Sequence, residues 1–440
     1  MFRDDQQLPT CESVGDDADA LFKGAWRRSR RWRGRIAAGV ILVGVAIGYL
    51  ATGGGSGGSA AARTRASSSG RLASAAGHEL NIVPGNTEPA LPYVMGDTLR
   101  LAPGTRSYRL VGYSSTGICR SLLRSANGRY VMYGVSQGGW PALDVLDLSS
   151  GARFTFRTHA CDPAWGSDGQ IAYVHYVSYK LDSINFSARV LVQHGLGGAP
   201  RAWTGDGPWA DPIWAGGDLL SSNGAVLTAL NPGPLVILYG PGRQRIVERR
   251  PGEYRGPYST VVAVNPSGTE ALLDTERLGP GGGGQGAEDL ATLLRVRDDK
   301  VLSTVRVAQG GGALAADGSW SGSEIITTDG VFDGGSSHPP ATLVTLTATG
   351  NRVQLRSIKP FVGQGLEPFK ESQDLAEPSQ ARFLDASGRH VAVWFNSIGF
   401  LRYLDCDTIT GQCAASPNYI RYAGPSPGAG AGFASNPSRP

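Results

Sequence analysis

Lysine is nearly absent from this chain: five residues stand against 36 arginines in a sequence of 440. Charge is sparse too, with 18% of residues charged and a net charge of +4. A nucleic-acid binder needs a concentrated basic face. Residues 1–35 already hold half of the net charge, so the other 405 carry only +2, and no nucleic-acid partner is expected. No C-x-x-C pair occurs and no histidine stands at metal-ligand spacing, so no metal site and no cofactor are expected. Beyond the first apolar run no segment keeps a 3.6-residue period over twelve residues, which argues against a helical domain.

Glycine (63) and proline (27) are abundant, and they imply many turns. The arginine bias suggests a GC-rich, bacterial genome rather than a chemical need for guanidinium. The one strong charge run is KGAWRRSRRWRGR, Lys23 to Arg35, with Trp26 and Trp32 interleaved. It abuts IAAGVILVGVAIGYLA, sixteen uncharged residues from Ile36 to Ala51. A membrane span takes about 17–25 apolar residues, and snorkelling arginines with a flanking tryptophan make up a short one. Residues 36–52 are therefore expected to be a single transmembrane helix. Basic residues on its N-terminal side place residues 1–35 in the cytoplasm and the rest outside. Secretion after signal cleavage is the alternative, since GGSAAA follows, but a 35-residue leader region is long for a removable signal. Residues 53–94, rich in Gly, Ser and Ala at their start, read as a flexible tether of about 30–40 Å r.m.s. reach. Residues 424–440 read as a disordered Pro/Gly tail, leaving 95–423 as the folded domain.

Cys11 is alone on the cytoplasmic side. Cys119, Cys161, Cys406 and Cys413 form an even set outside, where disulfides persist. Cys406 and Cys413 flank DTITGQ on one hairpin and can face each other across it. Cys119 and Cys161 lie nine and eight residues before Gly128 and Gly169, near-equivalent places in adjacent repeats, and are expected to bridge neighbouring strands.

Those repeats organise the domain. A turn recurs as SANG ending at Gly128, GSDG at Gly169, NPSG at Gly268, AADG at Gly318 and DASG at Gly388, with a weaker WAGGD near Gly216. An apolar or alternating run follows each, then two further runs joined by a tight turn, as in ALDVLDL-SSG-ARFTFR. These are period-2 strands with hairpins. About six units of four strands describe an all-β β-propeller. Asp162-Pro163-Ala164-Trp165 and Asp211-Pro212-Ile213-Trp214 repeat D-P-x-W and mark the innermost strand of two successive blades. Residues 359–380 read as an irregular insertion. The unit SANGRYVMYGVSQGGWPALDVLDLSSGARFTF resembles a blade of the TolB-like, WD40-like six-bladed propellers, over roughly residues 110–420. That resemblance implies a propeller scaffold acting through protein partners.

YGVSQGGW contains Gly134-Val135-Ser136-Gln137-Gly138, the G-x-S-x-G of a nucleophile elbow. An elbow needs a helix directly after the serine, but Trp140-Pro141 and a period-2 run follow, so Ser136 is expected in a loop between strands and no catalytic residue is assigned. GPGGGGQG (279–286) lacks the context of a phosphate loop, and DGVFDGGSSH (329–338) lacks calcium-loop spacing. Asp162 and Asp211 are expected near the mouth of a central channel, either binding a ligand or capping backbone N–H groups. Trp165 and Trp214 are expected to pack between blades or, alternatively, to stack on a sugar. The whole reads as a membrane-anchored extracytoplasmic propeller of the bacterial cell envelope that binds a protein or an envelope glycan. A propeller enzyme or small-ligand binder using Asp162 and Asp211 is the alternative, with a serine hydrolase using Ser136 as a more distant one.

Overall fold

A computed structural model describes residues 79–85, 91–101, 106–113, 119, 121–125, 127–166, 168–179, 186–209, 212–221, 235–247, 259–277, 288–309, 314, 318–330, 341–363, 377–385, 387–397, 400–419 and 421–422. The chain divides between Ser74 and Ala75 into two units, and every described residue lies in the second. Among the described residues all regular structure is β-strand apart from one 3-10 turn, Val296–Asp298. No helix among them is long and apolar enough to cross a membrane. The run 36–52 lies outside the described residues.

The strands form antiparallel meanders of four, numbered here as sheets I to VII. Sheet II is Leu122–Arg124, Tyr130–Gln137, Trp140–Asp147 and Arg153–Thr158. Sheet III is Ala160–Trp165, Gln170–Tyr179, Phe186–His194 and Arg201–Ala202. Sheet IV is Ile213–Ala215, Asp218–Ser221, Val236–Gly240 and Arg243–Ile246. Sheet V is Ser259–Val264, Glu270–Arg277, Glu288–Arg295 and Lys300–Gln309. Sheet VI runs through Ser319–Ser321, Glu324–Asp329, Thr342–Thr349 and Arg352–Gly363. Sheet VII runs through Glu377–Phe383, His390–Ser397, Phe400–Asp407 and Gln412–Tyr419. Sheet I is assembled from both chain ends: Arg421–Tyr422 pairs with Tyr93–Met95, followed by Thr98–Arg100 and Ser107–Arg109.

Alternation decides how the sheets stack. In a strand, successive side chains point to opposite faces, and here both faces are buried. Val131, Tyr133 and Val135 pack with Val94 and Leu99 of sheet I, while Met132 packs with Ile171 and Tyr173 of sheet III. Sheets III and IV share Ala172, Val190, Trp214 and Leu219, and IV and V share Leu220, Ile237, Ala271 and Leu273. Sheets V and VI share Leu272, Leu293, Ile325 and Leu346. Sheets VI and VII share Leu343, Phe361, Val393 and Phe395. The seventh contact joins the last sheet to the first, with Trp394 and Tyr403 against Tyr93. Seven sheets in chain order, each packed on the next and the last packed on the first, make a closed ring: a β-propeller. Each fully buried large side chain contributes roughly 1.5–3 kcal/mol of transfer free energy, so the inter-sheet layers hold the ring together.

Among the described residues there are seven meanders against about six expected, with VI and VII joined through Leu80–Pro84 into one nine-stranded sheet. The missed sheet is I, whose strands in this part of the chain are three residues long and whose remaining strand comes from the C-terminus. Order also begins before residue 95. Leu80–Pro84, inside the stretch read as tether, is a strand wedged between the outermost strands of VI and VII. Residues 359–363 extend a long strand of sheet VI rather than starting an insertion, and 364–376 lie outside the described residues.

The recurring turns have a common chemistry. Asn127, Asp168, Asn265 and Asp385 accept hydrogen bonds at 2.8–3.1 Å from backbone N–H groups at, or one residue before, the start of the following strand. Such a side chain mimics a backbone turn. Gly128, Gly169, Gly268 and Gly388 complete these turns at φ of about +70 to +81, where a Cβ is unfavourable.

Candidate functional site

The G-x-S-x-G segment has a structural explanation at each glycine. A Cβ on Gly134 would lie 2.2 Å from the Cys119 carbonyl oxygen, so glycine there admits the neighbouring backbone. Gly138 and Gly139 have φ of +59 and +82, the two positive values a tight I′ hairpin requires. Ser136 lies not in the loop, which is only Gly138-Gly139, but in the strand Tyr130–Gln137, exposed opposite Pro141, and a strand rather than a helix follows the turn.

Cys119 and Cys161 are disulfide-bonded, Cα atoms 5.6 Å apart, joining the entry to sheet II to the first strand of sheet III. Cys406 and Cys413 are bonded across the last hairpin of sheet VII. Asp162 occupies a bulge in the first strand of III, where the ladder to Gln170–Tyr179 slips. Its φ is +48, a left-handed value that few non-glycine residues adopt. The Asp162 N–H donates to Ser121 Oγ at 3.1 Å, and that hydroxyl donates to Asp162 Oδ1 at 3.4 Å. One polar pair thus ties sheet II to sheet III beside the disulfide.

Trp165 is 6% exposed and stacks on Tyr130 of sheet II, centroids 6.1 Å apart. Trp214 is 3% exposed, donates its indole N–H to the Ala164 carbonyl at 3.0 Å, and meets Trp203 edge-on. Both are enclosed between sheets, with no free ring face for a sugar. Asp211 lies outside the described residues.

What the structure brings together instead is Trp140, His159 and His175. Trp140 opens the third strand of sheet II, right after the Gly138-Gly139 turn. His159 is the single residue linking the last strand of II to the first of III, with φ +54. Its carbonyl accepts the Tyr176 N–H at 2.7 Å, which holds the corner. His175 lies opposite Ala160 and Arg189 in sheet III. The rings form a ladder: indole on imidazole at 4.1 Å and 19°, then imidazole on imidazole at 6.3 Å and 20°. All three are half-buried, and exposed Gln137 and Val177 belong to the same pair of hairpins. Arg189 is ion-paired with Asp206. Burial, then the neighbouring His159 imidazole and the Arg189 guanidinium, hold the His175 pKa below the ordinary histidine value. The stacked rings make a contact surface with a polar edge.

His159 and Asp162 are two of the three described non-glycine residues with positive φ. Such conformations cost about 1–3 kcal/mol each and gather where a site is pre-organised. None of this was legible in the sequence, because the histidines stand sixteen positions apart, one on the link between two sheets and one within a strand. The available signal was the one-residue link between sheets at His159. Among the described residues no group of three His, Cys, Asp or Glu side chains could hold a metal ion.

No protein-family model matches the sequence, and no curated protein matches it. Solved structures resembling the fold include TolB from Acinetobacter baumannii, at 13% identity and a TM-score of 0.38 over 61% of this chain and 64% of that one. The oligogalacturonate lyase from Vibrio parahaemolyticus aligns at 14% identity and 0.43, over 79% and 90%. The β-propeller domain of the trilobed protease from Pyrococcus furiosus aligns at 10% and 0.40, over 65% and 80%. The chain thus spans just under two thirds of the TolB chain. At these scores the likenesses carry no functional weight, and the propeller rests on the ring of contacts described above.

Proposed function

We propose that this chain is a binding propeller of the bacterial cell envelope, tethered to the membrane by residues 36–52, which holds a protein partner on the surface formed by Trp140, His159 and His175. The observation that carries the reading is the aromatic–imidazole ladder at the junction of sheets II and III, on a backbone corner held in an unfavourable conformation. Half-buried aromatic rings beside polar groups are the composition of protein-binding hot spots. A glycan is the weaker partner, since Trp165 and Trp214 are enclosed and one face of Trp140 is covered by His159. The rigid repeat fold suits a scaffold, although fold alone never assigns function.

A small-ligand or enzymatic reading has one observation in its favour, the left-handed Asp162 carboxylate in its bulge. The two readings separate by experiment. A photo-cross-linking residue is placed at Gln137 or at Val177 in cells, with Ile409, 68% exposed on the sheet VII hairpin, as the control. One discrete adduct from Gln137 and Val177, absent from Ile409 and abolished by Trp140→Ala, is the expected result. Adducts of equal yield from all three positions would overturn the protein-binding reading.

A further inference from the structure

Leu80–Pro84 is held differently from its neighbours. It pairs parallel on both sides: Leu80, Asn81 and Ile82 with Phe361, Val362 and Gly363 of sheet VI, and Asn81 to Pro84 with Gln412 to Ala415 of sheet VII. Within sheets VI and VII themselves every described pairing is antiparallel. Its side chains alternate, Leu80 at 0% and Ile82 at 2% exposure with Asn81 and Val83 outward. The inward pair enters the layer between the two sheets, beside Phe361, Phe395 and Cys413.

The seam is shaped to this strand. Gly363 has φ +105, and a Cβ there would stand 2.6 Å from the Ile82 carbonyl oxygen. A Cβ on Gly411, at φ +74, would stand 2.7 Å from the Glu79 carbonyl oxygen. The Asn81 N–H donates to the Gly411 carbonyl at 2.7 Å and the Gly85 N–H to the Ala415 carbonyl at 2.8 Å. Two sheets thus supply close-approach glycines, backbone acceptors and an apolar slot to one five-residue segment. The ring does not need that segment for closure, because Tyr93–Met95 already pairs with Arg421–Tyr422. The outer strands of sheets VI and VII would otherwise present free edges, which are templates for strand addition.

We infer that the seam between sheets VI and VII is a strand-acceptor site. Its ligand is an extended segment with aliphatic side chains at alternate positions, running parallel to both rims, and Leu80–Pro84 is its resident occupant. Main-chain pairing supplies the attachment and the two slots for alternate side chains supply the selectivity, the logic of β-augmentation. The site is separate from the Trp140 surface, so it stands or falls independently of that reading.

The test uses the whole chain with a protease site inserted within residues 86–90, folded intact and then cut, so that the strand is held without covalent linkage. The probe is a fluorescent peptide of residues 79–85, read by anisotropy. The cut chain is expected to take up one peptide per molecule, and a peptide carrying Ile82→Asp is expected not to bind. An attached strand competes at roughly millimolar effective concentration, so the uncut chain should take up at least about tenfold less peptide. A cut chain that keeps its strand against excess peptide, or loses its near-UV circular dichroism as the strand leaves, overturns the inference. Hydrogen exchange on the unmodified chain gives a second reading. The Asn81 and Gly85 amides should exchange faster than those of Val393 and Leu404, and equal protection would show a strand fused into the core.

Discussion

Arg129 and Asp147 stand in the same relation in sheet II as Arg389 and Asp407 in sheet VII: eighteen residues apart, Nη2 to Oδ2 at 2.8 Å in both. Each arginine follows a turn glycine and each aspartate ends a third strand. Each carboxylate also accepts backbone N–H groups of its next turn, Ser149 for one and Ile409 and Thr410 for the other. The arginine hydrogen bond, then the turn donors, hold both carboxyls well below the ordinary carboxylate range. A carboxyl with a depressed pKa contributes stability above its unfolded value and loses it as pH falls through the folded one. The double variant Asp147→Asn, Asp407→Asn should therefore melt below the parent at pH 7, with the gap closing below about pH 4. Thermal melts from pH 3 to 7 check this, and a constant gap would show the pairs to be inert.

His175 gives a different pH window. Its folded pKa lies below the ordinary histidine value, so the unfolded chain binds the proton more tightly. Stability should fall as pH drops below about 6.5 and level off beneath the folded pKa. His175→Gln should flatten urea midpoints between pH 7 and 5. An unchanged slope would place the titrating group elsewhere.

Sheet I is the part of the ring with the shortest strands, yet Leu99 is fully buried against sheet II. Leu99→Ala should cost about 2–5 kcal/mol, the range for a core leucine. A chain ending at Tyr419, lacking the strand that pairs with Tyr93–Met95, should unfold less cooperatively. A Leu99→Ala loss under about 0.5 kcal/mol would make sheet I peripheral to the fold.

The two disulfides should differ in worth. Cys119–Cys161 closes a separation of 42 residues and Cys406–Cys413 one of 7. Loop-closure entropy assigns roughly 4 kcal/mol to the first and roughly 2 kcal/mol to the second. Cys119→Ala with Cys161→Ala should accordingly lower the denaturation midpoint more than the Cys406, Cys413 pair of replacements. The opposite order would mean that pinning the final hairpin beside Leu80–Pro84 outweighs chain entropy.

Most of the sheet pattern was legible because its determinants are local. A polar side chain and a glycine four or fewer residues apart make each recurring turn, as Asn127 with Gly128 and Asp385 with Gly388 do. Period-2 alternation then assigns Tyr133 to one face and Met132 to the other. The cysteine pairings were legible for the same reason, one through near-equal offsets from neighbouring turns and the other across a single hairpin. Trp165 and Trp214 lie enclosed between sheets, and nothing in D-P-x-W announces that Asp162 sits on a bulge with positive φ.

By itself, then, the sequence determined an all-β chain of four-strand repeats, its turn sites and its two disulfides. Each of these depends on backbone torsions and hydrogen bonds spanning a few residues, or on alternation along one strand. The tertiary structure alone decided that the described residues form seven meanders, that residues 421–422 complete the first, and that Leu80–Pro84 fills the seam between the last two. It also decided that Trp140, His159 and His175 form one ladder. Those pairings join segments far apart in the chain, where loop-closure entropy opposes contact. They form because closing the ring buries both faces of every sheet at once.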